Sequence, residues 1–373
     1  MSDVIRPDTF SLTDNSFSAP GFYQIRKSER EHLNNYLEQV LLVKECESIP
    51  VHCSSTPFSG IIINTLLHNS IDDGDIVTIN QFGQLRVILS KRANHNTLLV
   101  TERCNNLCLF CSQPPREEND NWLLSYGALA LAAFEFDGEI GISGGEPLLY
   151  GDAFIKFLEF VSSHAPTTRL HVLTNGRAFS NLRFTEKIAS KTCSMAITFG
   201  IPLYSAKASV HDYLVGKSGA FSETVMGMIN AGNSGVKMEV RFIPTQKNAT
   251  ELPQVVEYIS RVFSGVVQLS IMNLEASGWA KRNWEGLRCD TEDYKDALKE
   301  GLETADIAGL HPTLFNFPLC HLPESARGFA VKSISDWKNY YPNECTNCQL
   351  QDNCGGYFSS SRGKYHQPPR RII

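Results

Sequence analysis

From Thr97 onward the chain alternates between strand-like and helix-like patterning six times, and that rhythm constrains its fold more than any other feature. The strand patterns are Thr97–Thr101, Glu139–Ser143, Arg169–Thr174, Ser194–Ile201, Lys237–Ile243 and Val267–Met272. Helical patterns fall between them, among them Leu123–Phe136, Ala153–His164, Phe221–Ala231 and Leu252–Phe263. Parallel neighbouring strands need long connections, so this order predicts an α/β fold whose parallel sheet is wound through helical crossovers. Eight such units close a full barrel; six make a partial (β/α)6 TIM-like barrel. In barrels the chemistry gathers where strands end and loops begin.

The first strand leads into Cys104-Asn-Asn-Leu-Cys108-Leu-Phe-Cys111. The spacing brings three thiolates together and supplies no obvious fourth. Structural zinc takes four protein ligands, and ordinary iron–sulfur clusters are held by four cysteines. Three ligands on one loop suggest a cubane with one iron left for a non-protein ligand; a zinc loop or three unrelated thiols is the alternative. The second strand ends in Gly144-Gly145-Glu146-Pro147. Paired glycines let the backbone approach a ligand closely, and the Glu146 carboxylate can accept from an ammonium group; the same residues also suit a plain turn. The third strand ends in Thr174-Asn175-Gly176, where Asn175 either caps the turn or reaches a site. On the fifth strand Arg241 sits among apolar neighbours, which calls for an anionic partner or a polar cavity. His211 and Asp212 suit helix packing and capping rather than catalysis.

The joint pattern resembles the radical S-adenosylmethionine (SAM) superfamily. The resemblance implies a [4Fe-4S] cluster on Cys104, Cys108 and Cys111, with SAM on the open iron. It gives contact with the SAM amino group to Gly144, Gly145 and Glu146, and further cofactor contacts to Asn175 and Arg241. No catalytic residue is assigned beyond the cluster. One departure is Pro202-Leu203-Tyr204-Ser205, where many relatives have Ser-Leu-Asp-Gly, so a ribose contact does not carry over.

Cys345-Thr-Asn-Cys348 and Cys354 form a second cysteine group, and Cys320 or Cys289 lies upstream as a fourth member. Four sulfurs suit structural zinc or an iron–sulfur cluster equally. The resemblance favours a second, auxiliary [4Fe-4S] cluster of the shorter twitch form, on Cys320, Cys345, Cys348 and Cys354. Cys46, Cys53 and Cys193 stand alone, and an isolated cysteine is by default a small buried hydrophobe.

Before the barrel, a helix is expected from about Ser28 to Cys46, then an apolar run at Gly60–Ile63 and a turn at Asp72–Asp75. A hairpin of Ile76–Ile79 with Leu85–Leu89 follows. The expected organisation is a mixed α+β module at 1–95, a radical SAM core at 96–285 and a Cys-rich extension at 286–373. The formal net charge of −6 argues against a partner recognised through phosphates, so no nucleic acid is expected. No signal peptide or membrane-spanning run is read, which predicts a reducing cytoplasm where clustered cysteines ligate metal.

Closer in, Thr101–Pro115 together with Ile201–Ser205 resembles the His-Xaa-Ser system radical SAM maturases of HxsC type. That implies reductive cleavage of SAM to a 5′-deoxyadenosyl radical, which modifies a ribosomally made peptide or small protein. It further implies a second radical SAM maturase and a flavodoxin- or ferredoxin-type electron donor as partners. The alternatives are radical SAM chemistry on a small molecule such as a nucleotide, or a non-catalytic zinc protein.

Overall fold

The structure is a computed structural model that describes residues 21–27, 36–44, 60–63, 65–80, 84–334 and 338–373. The described residues cluster into two compact units, one within 1–101, 119–143 and 152–170, the other within 102–118, 144–151 and 171–373.

The first unit contains β1 (Phe22–Arg26), β2 (Glu38–Val43), β3 (Gly60–Ile63), β4 (Ile76–Ile79) and β5 (Leu85–Leu89). They form a mixed sheet in the order β3-β2-β1-β4-β5. The expected hairpin is present, with β4 and β5 antiparallel; Gln81, Phe82 and Gly83 of its loop lie outside the described residues. The expected turn at Asp72–Asp75 is also present. Gly74 takes a φ of +86° there, and the buried Asp75 carboxylate accepts from the backbone of Asp72 and Lys91.

The helix expected from Ser28 to Cys46 is corrected where it is described: Glu38–Val43 is the strand β2. Gln39 to Val43 are all buried, because β2 runs parallel between β1 and β3. Burial on both faces turns the sequence into an unbroken apolar run, Val40-Leu41-Leu42-Val43, and such a run does not separate a buried strand from a helix. Residues 28–35, 45 and 46 of that expected helix, and separately Cys53, lie outside the described residues.

The larger sheet uses β6 (Asn96–Thr101), β7 (Glu139–Gly144), β8 (Arg169–Leu173), β9 (Ile197–Pro202), β10 (Met238–Phe242), β11 (Val266–Met272), β12 (Pro312–Phe315) and β13 (Ala330–Val331). Its eight parallel strands follow one another in chain order from β6 to β13. A doubly wound sheet would reverse direction partway. Unbroken sequential order is barrel winding, and with β6 and β13 as two ends the barrel is partial. All six expected strands occur within three residues of their predicted bounds. β12 and β13 were not foreseen, being only four and two residues long. A further antiparallel pair, β14 (Asn339–Tyr340) and β15 (Tyr357–Phe358), lies in the Cys-rich extension.

Strand β10 shows how the sheet divides its faces. Met238, Val240 and Phe242 are fully buried, while Glu239 and Arg241 alternate with them and so share the opposite face. Among the described residues, no helix is long and apolar enough to cross a membrane.

In the first unit, Leu42 is 1% exposed and packs in one apolar cluster with Ile25, Val40 and Ile62. Leu42→Ala should therefore cost about 2–5 kcal/mol, read as a lowered denaturation midpoint of the full chain. An unchanged midpoint would contradict the central placement of β2.

Candidate metal and cofactor site

Every element of the site lies in the second unit. Residues 104–111 form no regular helix or strand, so their backbone groups need partners from elsewhere. The neighbours supply them. Leu107 and Leu109 donate their amides to the carbonyls of Val215 and Leu214, which close the helix Ala208–Val215. The Leu109 carbonyl accepts from Asn283 Nδ2 at 2.7 Å, and the Cys111 carbonyl accepts from Trp279 N at 2.8 Å.

Two glycines make these approaches possible. A Cβ on Gly145 would stand 2.2 Å from the Arg103 carbonyl oxygen, which already accepts from Glu146 N. Gly216 has a φ of +63°, and a Cβ there would stand 2.3 Å from the Leu107 carbonyl oxygen. Gly145 thus has a structural duty besides any ligand contact: it seats one loop on the stem of the other.

Glu146 is 1% exposed and fully engaged inside the protein. Its carboxylate accepts from Leu148 N at 2.9 Å, Thr174 Oγ1 at 2.6 Å and Asn175 N at 2.6 Å. Burial raises its pKa against these three hydrogen bonds. The carboxylate joins the β7 loop to the β8 loop, a role the sequence could not reveal. Asn175 both caps and reaches: its Oδ1 accepts from Arg177 N, and its Nδ2 donates to Asn105 Oδ1 at 2.6 Å, inside the cysteine loop.

Arg177, which sequence reasoning missed, is the strongest tether. It is 8% exposed and donates through Nη1 to the Asn105 carbonyl and to Asn106 Oδ1, both at 2.7 Å. Its Nε pairs with Glu223 at 2.6 Å. Charge-assisted bonds of this kind contribute about 1.5–3 kcal/mol each. The signal available in the sequence was an arginine two residues beyond Asn175 in a turn at the site.

The three thiols share one loop, with Cys108 in electrostatic reach of Cys104 and Cys111. Burial, above all, raises Cys104 to about 11, and the negative charges of Glu146 and Cys111 add to it. Burial also raises Cys108, with Cys104 and Cys111 as the next causes. Cys111, raised by burial, donates its thiol to the Gln113 carbonyl. The donor set suits a cationic iron–sulfur group, because bound metal removes the cost of holding thiolates in a dry loop. Asn106 N already points at Cys104 Sγ at 3.4 Å. Phe110 and Tyr204 stack edge-on over this region, 4.8 Å between centroids. Ser205 Oγ, in the divergent turn, is taken by Glu251 at 2.7 Å rather than left for a ribose.

Arg241 meets an anionic partner, Glu239, at 3.9 Å, and donates to Met272 Sδ. Its Nε has no hydrogen-bond partner among the described residues, which suits a polar ligand. Glu239 also faces His171 Nε2 across Gly200, at 2.5 Å. Burial pushes Glu239 up, yet His171 and Arg241 outweigh it and hold the carboxylate below its ordinary pKa. His171 and Glu239 went unmarked in the sequence; their positions on one face of β8 and β10, with β9 between them, required the register to be known. His211 is buried and Asp212 accepts from Gly219 N and Phe221 N, the packing and capping roles expected.

Cys320, Cys345, Cys348 and Cys354 line one cavity, with Tyr341, Tyr357 and Arg370 around them. Cys289 does not line it and packs against His366 and Asp290 instead, so Cys320 is the fourth sulfur in place. Leu319 N and Gly356 N both point at Cys354 Sγ, at 3.3 and 3.4 Å, which favours a thiolate. Among the described residues, no three His, Cys, Asp or Glu side chains converge as ligands of one metal ion. Cys193 corrects its expectation: it is exposed, at the end of the helix Leu182–Thr192, not buried.

With the site in place, comparison with known proteins gives its class. Residues 98–258 match the family model for the radical SAM superfamily. The chain carries a radical SAM superfamily domain with a radical SAM fold.

Among curated relatives, a GTP 3',8-cyclase of Sulfurimonas denitrificans is 28% identical, over 56% of this chain and 63% of that protein. The chain thus spans less than two thirds of that relative's length. The antilisterial bacteriocin subtilosin biosynthesis protein AlbA of Bacillus subtilis is 26% identical, over 44% of this chain and 36% of that one. Among solved structures, Streptococcus suis SuiB aligns with a TM-score of 0.44 at 15% identity, covering 58% of this chain and 48% of that one.

Removing the Arg177 tether should loosen the cysteine loop. In Arg177→Met, amide exchange at 104–111 should quicken in the metal-free chain while β9 and β10 keep their protection, measured by mass spectrometry. Unchanged exchange at 104–111 would refute the tether.

Proposed function

We propose that the chain is a radical SAM enzyme that modifies a ribosomally made peptide or small protein, a His-Xaa-Ser system maturase of HxsC type. Cys104, Cys108 and Cys111 would hold a [4Fe-4S] cluster, and Cys320, Cys345, Cys348 and Cys354 a second. The observation that carries the peptide reading is the four-cysteine cavity accompanying the three-cysteine loop in one chain. The similarity to AlbA, a bacteriocin biosynthesis protein by name, supports it. The N-terminal residues 1–95 would dock the precursor or a second maturase, and residues 286–373 would form the auxiliary domain.

When bound, the cluster and SAM supply a 5′-deoxyadenosyl radical that takes hydrogen from the substrate. The protein's own residues do the positioning. Glu146, Asn175 and Arg177 lock the cysteine loop against the neighbouring strand ends. The Gly144 and Gly145 backbone would meet the SAM amino group, and Arg241, with a spare Nε–H, its carboxylate or ribose. Phe110 and Tyr204, both buried, would exclude water on one side.

A second reading, chemistry on a small molecule such as a nucleotide, is favoured by the similarity to GTP 3',8-cyclases. Absence of GTP binding by the reconstituted chain would exclude this second reading, and tight binding would favour it.

Anaerobic reconstitution should give about eight irons per chain, two four-iron clusters; bound zinc with no SAM cleavage would overturn the proposal. Cys104→Ala should abolish SAM cleavage. Cys348→Ala should keep SAM cleavage and lose peptide modification, followed by mass spectrometry of a precursor expressed with the enzyme. Normal modification by that variant would reduce the second sulfur set to a structural role.

A further inference from the structure

Next to the four-cysteine cavity lies a second one, offering about 270 Å³ of empty space, part of it open to solvent. Asn273, Asn316, His321, Tyr357, Lys364 and Tyr365 line it. Asn273 directly follows β11 and Asn316 directly follows β12, so the cavity sits at strand ends, where this architecture places chemistry. Tyr357 belongs to both cavities. Its hydroxyl stands 3.0 Å from His321 Nε2 and 3.4 Å from Cys320 Sγ.

Several polar groups of the second cavity are engaged within the protein: Asn316 Oδ1 accepts from Ser333 Oγ, and the Tyr365 hydroxyl pairs with that of Tyr340. His321 is 3% exposed, yet its Nδ1 has no hydrogen-bond partner among the described residues. A buried polar atom left unpaired is costly, so a ligand that pairs the imidazole is favoured over one that does not. No carboxylate pairs with Lys364 among the described residues, and no lining residue is acidic. The nearby Glu275 is occupied elsewhere, by Ser360 Oγ at 2.8 Å and Lys338 at 3.9 Å.

We propose that this cavity is a carboxylate-binding site, with the Lys364 ammonium as charge partner and the Asn273 amide as a second donor. One cation with neutral donors fits a singly charged carboxylate better than a phosphate, which is usually met by several cations. A cationic ligand would find no counter-charge, and an apolar one would leave His321 Nδ1 unpaired. The carboxylate belongs either to an acidic side chain or to a chain terminus. If the ligand is a precursor peptide, which rests on the proposed maturase function, the site anchors it one phenol away from Cys320.

The test uses the full chain and three blocked amino acids in calorimetric titrations. They are N-acetyl-glutamate α-amide (side-chain carboxylate), N-acetyl-glycine (terminal carboxylate) and N-acetyl-glutamine amide (neutral). At least one carboxylate should bind saturably, about tenfold tighter than the neutral probe, and the better of the two names the source. Lys364→Met should lose about tenfold in affinity, and Asn273→Asp, which places a like charge in the cavity, should abolish binding. Lys364 is half-buried, so its replacement leaves the fold intact. Equal binding of the neutral probe, no saturable binding, or carboxylate binding unchanged in both variants would overturn the site. Because binding is read without turnover, its failure is separable from failure of peptide modification.

Discussion

A loop without regular structure must have its backbone polar groups paired by others, and the three-cysteine loop of this chain is pinned in that way from several sides. Val215 and Leu214 hold it from one helix end, Trp279 and Asn283 from another, and Arg177 and Asn175 from the β8 turn. The Glu146 amide bonds to the Arg103 carbonyl at the loop's stem. The backbone that carries the three cysteines is held in this frame by the protein itself, so part of the ordering cost is met by folding. Removing one tether should therefore weaken the others, since they share the same short segment.

Much of this was legible in the sequence because it depends on short-range pattern. The βα rhythm gave all six main strands, and the cysteine spacing marked both sulfur groups. What was hidden depends on long-range geometry. Strand β2 was read as helix because burial on both faces erases the alternation that marks a strand. Arg177 and Glu146 reach partners from 28 to 72 residues away, and no local pattern encodes such pairings. His171 and Glu239 meet because Gly200 on the strand between them leaves room: a Cβ there would stand 2.9 Å from each. Cys193 defied its residue type's default because it follows a surface helix end rather than facing the core.

The C-terminal sulfur set follows the same logic with different parts. A short 3-10 turn brings Cys320 to the cavity, and its carbonyl accepts from Arg370 Nε at 2.8 Å. Two backbone amides converge on Cys354, and Gly356, with a φ of +67°, lets the chain turn there. Sequence reading took Cys320 as the fourth member and kept Cys289 as an alternative. The topology separates them, since Cys289 is held by the His366 side of the domain.

The central claim is that the cubane on Cys104, Cys108 and Cys111 keeps one iron for SAM. Electron–nuclear double resonance on the reduced, reconstituted chain measures this directly, using SAM labelled with 15N at the amino group and 17O at the carboxylate. Hyperfine coupling to both labels, lost in Cys108→Ala, is the predicted result. A cluster that forms normally yet shows coupling to neither label would contradict the account.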